Sequence, residues 1–169
     1  MFPQNAKMAL DRWWDQTLPV NPVQLAGAMG AHLEVIADQD RDGLGGGDQE
    51  ISSATLVDQE NPVIWFNDRQ ARIRQRFAIA HGLGHLLLHH GISGGEDLFR
   101  DPPEHFLLNH PDLYERHAND FATKLLMPAE VIHWLIRELG ITDIQELARK
   151  LEVSKAAMKY RLKALDLIT

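Results

Sequence analysis

Two histidines four residues apart, His81 and His85, lie within the stretch from Arg72 to Gly91, RIRQRFAIAHGLGHLLLHHG. Ile73, Phe77, Ala80, Leu83, Leu87 and Leu88 recur there at helical spacing, so the stretch predicts a helix. Residues four apart sit one turn above each other on one helix face, and two imidazoles so placed can reach a single metal ion. The same spacing underlies the motif H-E-x-x-H, in which the histidines bind zinc and the glutamate activates a water molecule. Here the string reads His81-Gly82-Leu83-Gly84-His85. The ligand pair is present, and Gly82 stands where the general base would be.

The plain alternative is a pair of buried histidines on a core helix. Two glycines weigh against it, because each costs a helix interior about 1 kcal/mol relative to alanine. Gly84 would let another backbone or a ligand approach closely; for Gly82 the sequence shows no such purpose. His89 continues the same face, although a histidine at a helix end is better placed to meet the terminal carbonyls. A catalytic zinc needs a third protein ligand and an open position for water. The downstream candidates are Glu96, Glu104, Asp112, Glu115 and His117. Glu115 falls on a second long predicted helix, which could pack antiparallel to the first.

Those side chains need a scaffold, and 169 residues with 44% hydrophobic content provide one domain, or one domain with a small appendage. The net charge of −7, from 17 basic and 24 acidic residues, argues against bulk electrostatic binding to nucleic acid. There is no cysteine, so thiolate zinc sites and disulfides are excluded and any metal must use histidine and carboxylate. The first residues, MFPQNAKMALDRWW, contain no apolar run long enough for a signal peptide, and no stretch approaches the ~20 apolar residues of a membrane span. A soluble cytoplasmic protein without membrane partners is the expectation.

The elements read as follows. Asn5 to Thr17 is an amphipathic helix with Met8, Trp13 and Trp14 inward. Asn21 caps a short helix that begins at Pro22 and ends at Gly30. Leu33–Ile36, Ile51–Val57 and Pro62–Phe66 are strands. Asn67 and Asp68 can cap the central helix. The segment from Ile92 to Pro111, rich in Gly, Pro and Asp, is expected to be irregular. Leu113 to Met127 is helical, with Leu113 on its apolar face. Pro128 restarts the chain as a helix, which Gly140 stops. Thr142 and Ser154 cap two final short helices.

Three blocks, RQRFAIAHGLGHLLLHHG, YERHANDFATKLLMPAEVI and ELARKLEVSKAAMKYRLKAL, together resemble the ImmA/IrrE family of bacterial and phage metallopeptidases. They cover most of Arg69 to Leu165 in the family's order. The resemblance implies an α+β fold: a small N-terminal twisted sheet packed on a helical, zincin-like core (residues 1–140), followed by a helix-turn-helix-like appendage (residues 141–169). It implies that His81, His85 and Glu115, the last within the E-x-x-A-[ND]-x-F-A block, bind one zinc ion or another divalent metal. His117 is a reserve ligand. It further implies a hydrolase, a zinc-dependent endopeptidase that cleaves a helix-turn-helix transcriptional repressor and so relieves repression. In that reaction zinc holds the attacking water and polarises the scissile carbonyl. Gly82 replaces the family's catalytic glutamate, so this chain reads as an inactive or severely impaired variant, whether natural or introduced, and restoring Glu at 82 should recover cleavage.

Two other function classes compete. One is a non-catalytic metal-binding regulator that sequesters a repressor. The other is a DNA-binding protein that uses Ile141 to Ile168, where Lys155, Lys159, Arg161 and Lys163 make the last helix basic. Asp38-Gln39-Asp40-Arg41-Asp42-Gly43 begins like a calcium loop, but Gly45 and Gln49 stand where such a loop needs an apolar residue and a bidentate Glu; a solvated loop is the expected reading. Arg69, Arg72, Arg74 and Arg76 cluster near a helix start, against the helix dipole, where surface pairing or a groove for an acidic partner would account for them.

Overall fold

A computed structural model of the chain describes residues 5–36, 50–58, 60–88, 97–107 and 109–169. The elements are α1 (Ala6–Trp13), α2 (Pro22–Ala28), β1 (His32–Val35), β2 (Ser53–Val57), β3 (Val63–Phe66), α3 (Arg72–Leu88), β4 (Asp97–Asp101), a 3-10 turn (Pro103–Phe106), α4 (Leu113–Leu126), α5 (Ala129–Arg137), α6 (Ile144–Lys150) and α7 (Lys155–Ala164). The fold is α+β, as expected. The Asp38–Gly43 loop, His89 and Glu96 lie outside the described residues.

Side-chain caps set most helix starts. Asn5 Oδ1 accepts from the Met8 amide, Asn21 Oδ1 from Val23 and Gln24, Asp112 from Tyr114 and Glu115, and Ser154 Oγ from Ala157. At α6 the cap is Asp143, one residue beyond the expected Thr142. Asn67 holds the turn ahead of α3, accepting from the Arg69 amide and donating to the Ile51 carbonyl. Gly30 and Gly140 leave their helices at φ +78° and +66°, a conformation glycine adopts without penalty. Met8 and Leu113 are exposed rather than inward; Ala6, Ala9 and Leu10 fill the inner face of α1.

The sheet order is β1-β3-β2-β4, with β1 parallel to β3 and the other pairs antiparallel. Strand β4 lies inside the segment expected to be irregular. Its sequence, Asp-Leu-Phe-Arg-Asp, is charged at both ends and followed directly by Pro102 and Pro103, so local composition hides it. Pairing along all five residues with β2, from Val57↔Asp97 to Ser53↔Asp101, supplies what propensity does not.

Helix α3 packs on β2 and β3 on one side and on α4 on the other. Both glycines of the histidine motif are contact points. A Cβ on Gly84 would lie 2.9 Å from Ala118 Cα and 3.1 Å from its carbonyl oxygen, so the α3 and α4 backbones touch there. A Cβ on Gly82 would lie 2.8 Å from both Ile64 Cγ2 and Thr55 Oγ1, so the sheet rests directly on the helix. Gly82 thus has a packing role that its sequence context did not reveal.

One hydrophobic cluster runs from Leu10 and Leu25 through Ile64, Leu83 and Phe121 to Leu147, Met158 and Leu162, continuous across residue 140. Buried arginines help to tie it together. Arg76 Nη2 donates to the Val20 carbonyl at 2.7 Å, and Arg161 Nε donates to the Met127 carbonyl at 3.0 Å. Arg72 and Arg76 both reach Glu152, at the turn between α6 and α7. Arg161 therefore does not belong to a basic outer face on α7, and the arginines at the start of α3 are partly structural. Among the described residues no helix is long and apolar enough to cross a membrane.

Candidate metal centre

Three elements converge beside the α3–α4 contact. Helix α3 presents His81 and His85, the end of β4 presents Asp101, and the first turn of α4 presents Glu115; all four are buried. The ligand atoms lie within 4.8 Å of one another. His81 Nε2 is 2.9 Å from His85 Nε2 and 3.1 Å from Glu115 Oε2. His85 Nε2 is 3.5 Å from Glu115 Oε2. Asp101 Oδ1 is 3.6 Å from His81 Nε2 and 3.7 Å from His85 Nε2.

This donor set suits a divalent cation. Asp101 Oδ1 is buried without a hydrogen-bond partner, and the two Nε2 atoms face each other across a gap that a single proton can bridge only once. Tetrahedral zinc bonds of about 2.0–2.2 Å place neighbouring ligand atoms roughly 3.3–3.6 Å apart, close to the spacing seen here. Imidazole and carboxylate ligands without thiolate suit zinc and related transition metals.

The comparison with known proteins follows the same residues. The IrrE N-terminal-like domain matches residues 46–163, a span that contains all four members of the group. The chain belongs to the ImmA/IrrE metallopeptidase family. It is 36% identical over 108 residues to the radiation response metalloprotease IrrE of Deinococcus deserti and 33% identical over 108 residues to that of Deinococcus radiodurans. Each match covers 62% of this chain, but only 37% and 32% of those relatives.

The two histidines are held by identifiable neighbours. Asn119 Nδ2 donates to the carbonyls of His105 and Leu107, at 2.8 and 3.0 Å, which fixes Asn119 Oδ1 as an acceptor. His81 Nδ1, 2.8 Å from that oxygen, must then carry the proton, and in the neutral ring Nε2 turns its lone pair toward the group. Phe99 stacks on the His85 ring at 4.1 Å between centroids, and Phe106 packs edge-on against His81 at 4.9 Å. Asn119→Ala is expected to weaken metal affinity about 10–100-fold, the usual cost of losing such an orienting partner, as read by competition with a chromophoric chelator.

Electrostatics bind the group together when no cation does so. Burial presses hardest on His81 and favours its neutral form, yet Asp101 and Glu115 together overcome it and raise the imidazole to about 9. Burial likewise opposes ionisation of Glu115, but hydrogen bonds to His81 and His85 pull it down to about 2. Asp101 is held well below the usual carboxylate range, because His81 and the other imidazoles outweigh its burial. His105 is raised, first by Asp101, whose Oδ1 lies 3.5 Å from its Nδ1.

Of the described sequence candidates, the structure gathers His81, His85 and Glu115. Asp112 is used as the α4 cap, and Glu104 and His117 are exposed and stand outside the group. His117 as a reserve ligand is corrected on this ground: two residues on from Glu115, it points to another side of α4. Sequence reasoning missed Asp101, because its strand was not recognised. It also missed the role of Asn119, which the four-residue spacing from Glu115 could have signalled.

Proposed function

We propose that this chain binds one zinc ion through His81, His85 and Glu115 and engages a helix-turn-helix repressor on a peptidase framework, with hydrolysis slow or absent because Gly82 occupies the general-base position. The observation that carries the reading is the convergence of those three ligand atoms from two helices, with the His81 tautomer set for coordination by Asn119. Bound zinc would acidify a water and polarise a carbonyl. The missing proton acceptor typically contributes about 10²–10⁴-fold to such a reaction. Glu104 does not take that place, since it is exposed and outside the group.

Support for a protein partner comes from a groove of about 490 Å³ lined by Phe77, Phe106, Leu107, Arg74, Val153 and Ala157. It shares Phe77 and Phe106 with the wall around His81. Arg161 is turned inward, so the basic face that a DNA-binding reading would use is reduced to Lys155, Lys159 and Lys163. The cytoplasmic location remains part of this proposal.

The test is metal content by elemental analysis beside a cleavage assay on a candidate repressor. About one zinc per chain, lost in His81→Ala and in Glu115→Ala, together with repressor binding but little cleavage, is the expected result. Absence of zinc even when it is supplied would refute the metal assignment, and rapid cleavage would refute the impaired one.

A further inference from the structure

We infer that Asp101 is a fourth protein ligand and fills the coordination position that a catalytic zinc keeps for water, which makes this a closed metal site. The inference rests on the zinc-binding reading above. Catalytic zinc sites hold three protein ligands and one exchangeable position; structural sites hold four protein ligands. Here Asp101 Oδ1 faces both Nε2 atoms, at 3.6 and 3.7 Å, close to the spacing expected between ligands of one tetrahedral ion.

The carboxylate is built into that place. Its residue is fully buried, and the Ser53 hydroxyl, on the neighbouring strand, donates to Oδ2 at 3.2 Å and turns Oδ1 inward. Oδ1 makes no well-aligned hydrogen bond; its polar neighbours are the two Nε2 atoms and, at 3.5 Å, Nδ1 of His105 on the rim of the group. Charge points the same way. Two neutral imidazoles and two carboxylates cancel the double charge of the ion, which blunts its power to acidify water or polarise a carbonyl. The rings of Phe99 and Phe106 cover the two histidines. Closure and the glycine at 82 are independent features with one consequence, a metal site that holds structure in place of performing hydrolysis.

The experiment uses cobalt(II) in the full chain as a spectroscopic stand-in for zinc, with acetohydroxamate as a probe for an open position. The wild-type cobalt spectrum is expected to be indifferent to millimolar acetohydroxamate. Asp101→Asn, which keeps the shape and the Ser53 contact, is expected to bind cobalt and zinc at least about tenfold more weakly and to show a hydroxamate-dependent spectrum. If the wild-type spectrum shifts with acetohydroxamate and Asp101→Asn binds metal as tightly as wild type, Asp101 is not a ligand, although the chain remains a metal-binding protein. If the wild type retains neither cobalt nor zinc, the underlying metal reading falls and this inference falls with it. A wild-type spectrum that shifts with acetohydroxamate would by itself overturn the closed site, even if Asp101→Asn folds poorly.

Discussion

Zinc affinity is expected to climb about tenfold for each pH unit and to level off only near pH 9, because one proton must leave His81 for each ion bound. An unperturbed imidazole would level off near its ordinary value of 6.5. The difference arises because Asp101 and Glu115 hold His81 protonated in chelator-treated protein, in spite of its burial. Stability of that chelated form follows with a definite sign. A raised imidazole stabilises the fold fully below 6.5, and this contribution is lost as pH rises from 6.5 through about 9. Glu115 is lowered, so its contribution is present above 4.5 and is lost as pH falls from 4.5 toward about 2. The metal-free protein should therefore be most stable between about 4.5 and 6.5 with respect to these two groups. The gap in Tm between zinc-loaded and chelated protein should widen as pH is raised. Competition titrations across pH 6–10 and paired thermal melts check both statements. An affinity curve that is flat above 6.5 would show that the carboxylates do not hold the proton.

Where the sequence was legible, one local signal was enough. Asn21 before Pro22 fixes the start of α2, Ser154 fixes that of α7, and the spacing from Ile73 to Leu88 fixes α3. The three expected strands are present, each a short stretch carrying β-branched or aromatic residues and bounded by turn residues. β4 could not be read in the same way. Only Leu98 and Phe99 are apolar among its five residues, and its stability comes from β2, whose paired positions lie 40 to 48 residues earlier, from Val57↔Asp97 to Ser53↔Asp101. Losing the strand meant losing Asp101, and with it the difference between an open and a closed metal site.

The histidine pair needed no tertiary information, since one helix carries both rings. Glu115 needed some, because five residues competed for the third place and only family resemblance separated them. The arginines show the limit from the other side. Charge composition counted Arg76 and Arg161 as surface cations, whereas each ends on a backbone carbonyl left without a partner where the chain turns. A charge-assisted hydrogen bond of that kind is worth about 1.5–3 kcal/mol, and nothing local marks the arginine that will make it.

Gly82→Glu is expected to lower stability without reviving cleavage. In an open helix, replacing glycine by alanine would gain about 1 kcal/mol. Here the new Cβ would meet Ile64 Cγ2 and Thr55 Oγ1 at 2.8 Å and Ile64 Cδ1 at 3.2 Å. Cγ2 and Oγ1 are bonded directly to the β-carbons of strand residues, both buried, and cannot swing aside as the end of a long side chain could. Overpacking of this kind costs about 1–3 kcal/mol, so even Gly82→Ala should be no more stable than wild type. Glutamate adds the burial of a carboxyl group against the sheet and should be worse. Clearing the contact with Thr55→Ala and Ile64→Ala should make Gly82→Glu less harmful than in the native background, a coupling that a double-mutant cycle on urea unfolding would measure. A Gly82→Glu protein as stable as wild type and active on a repressor would show that the helix–sheet contact yields easily. The expected coupling would show instead that Thr55, Ile64 and Gly82 form one packed unit. In that case the glycine is not a lone deletion from an otherwise ready active site, because the room for a glutamate has gone together with the glutamate.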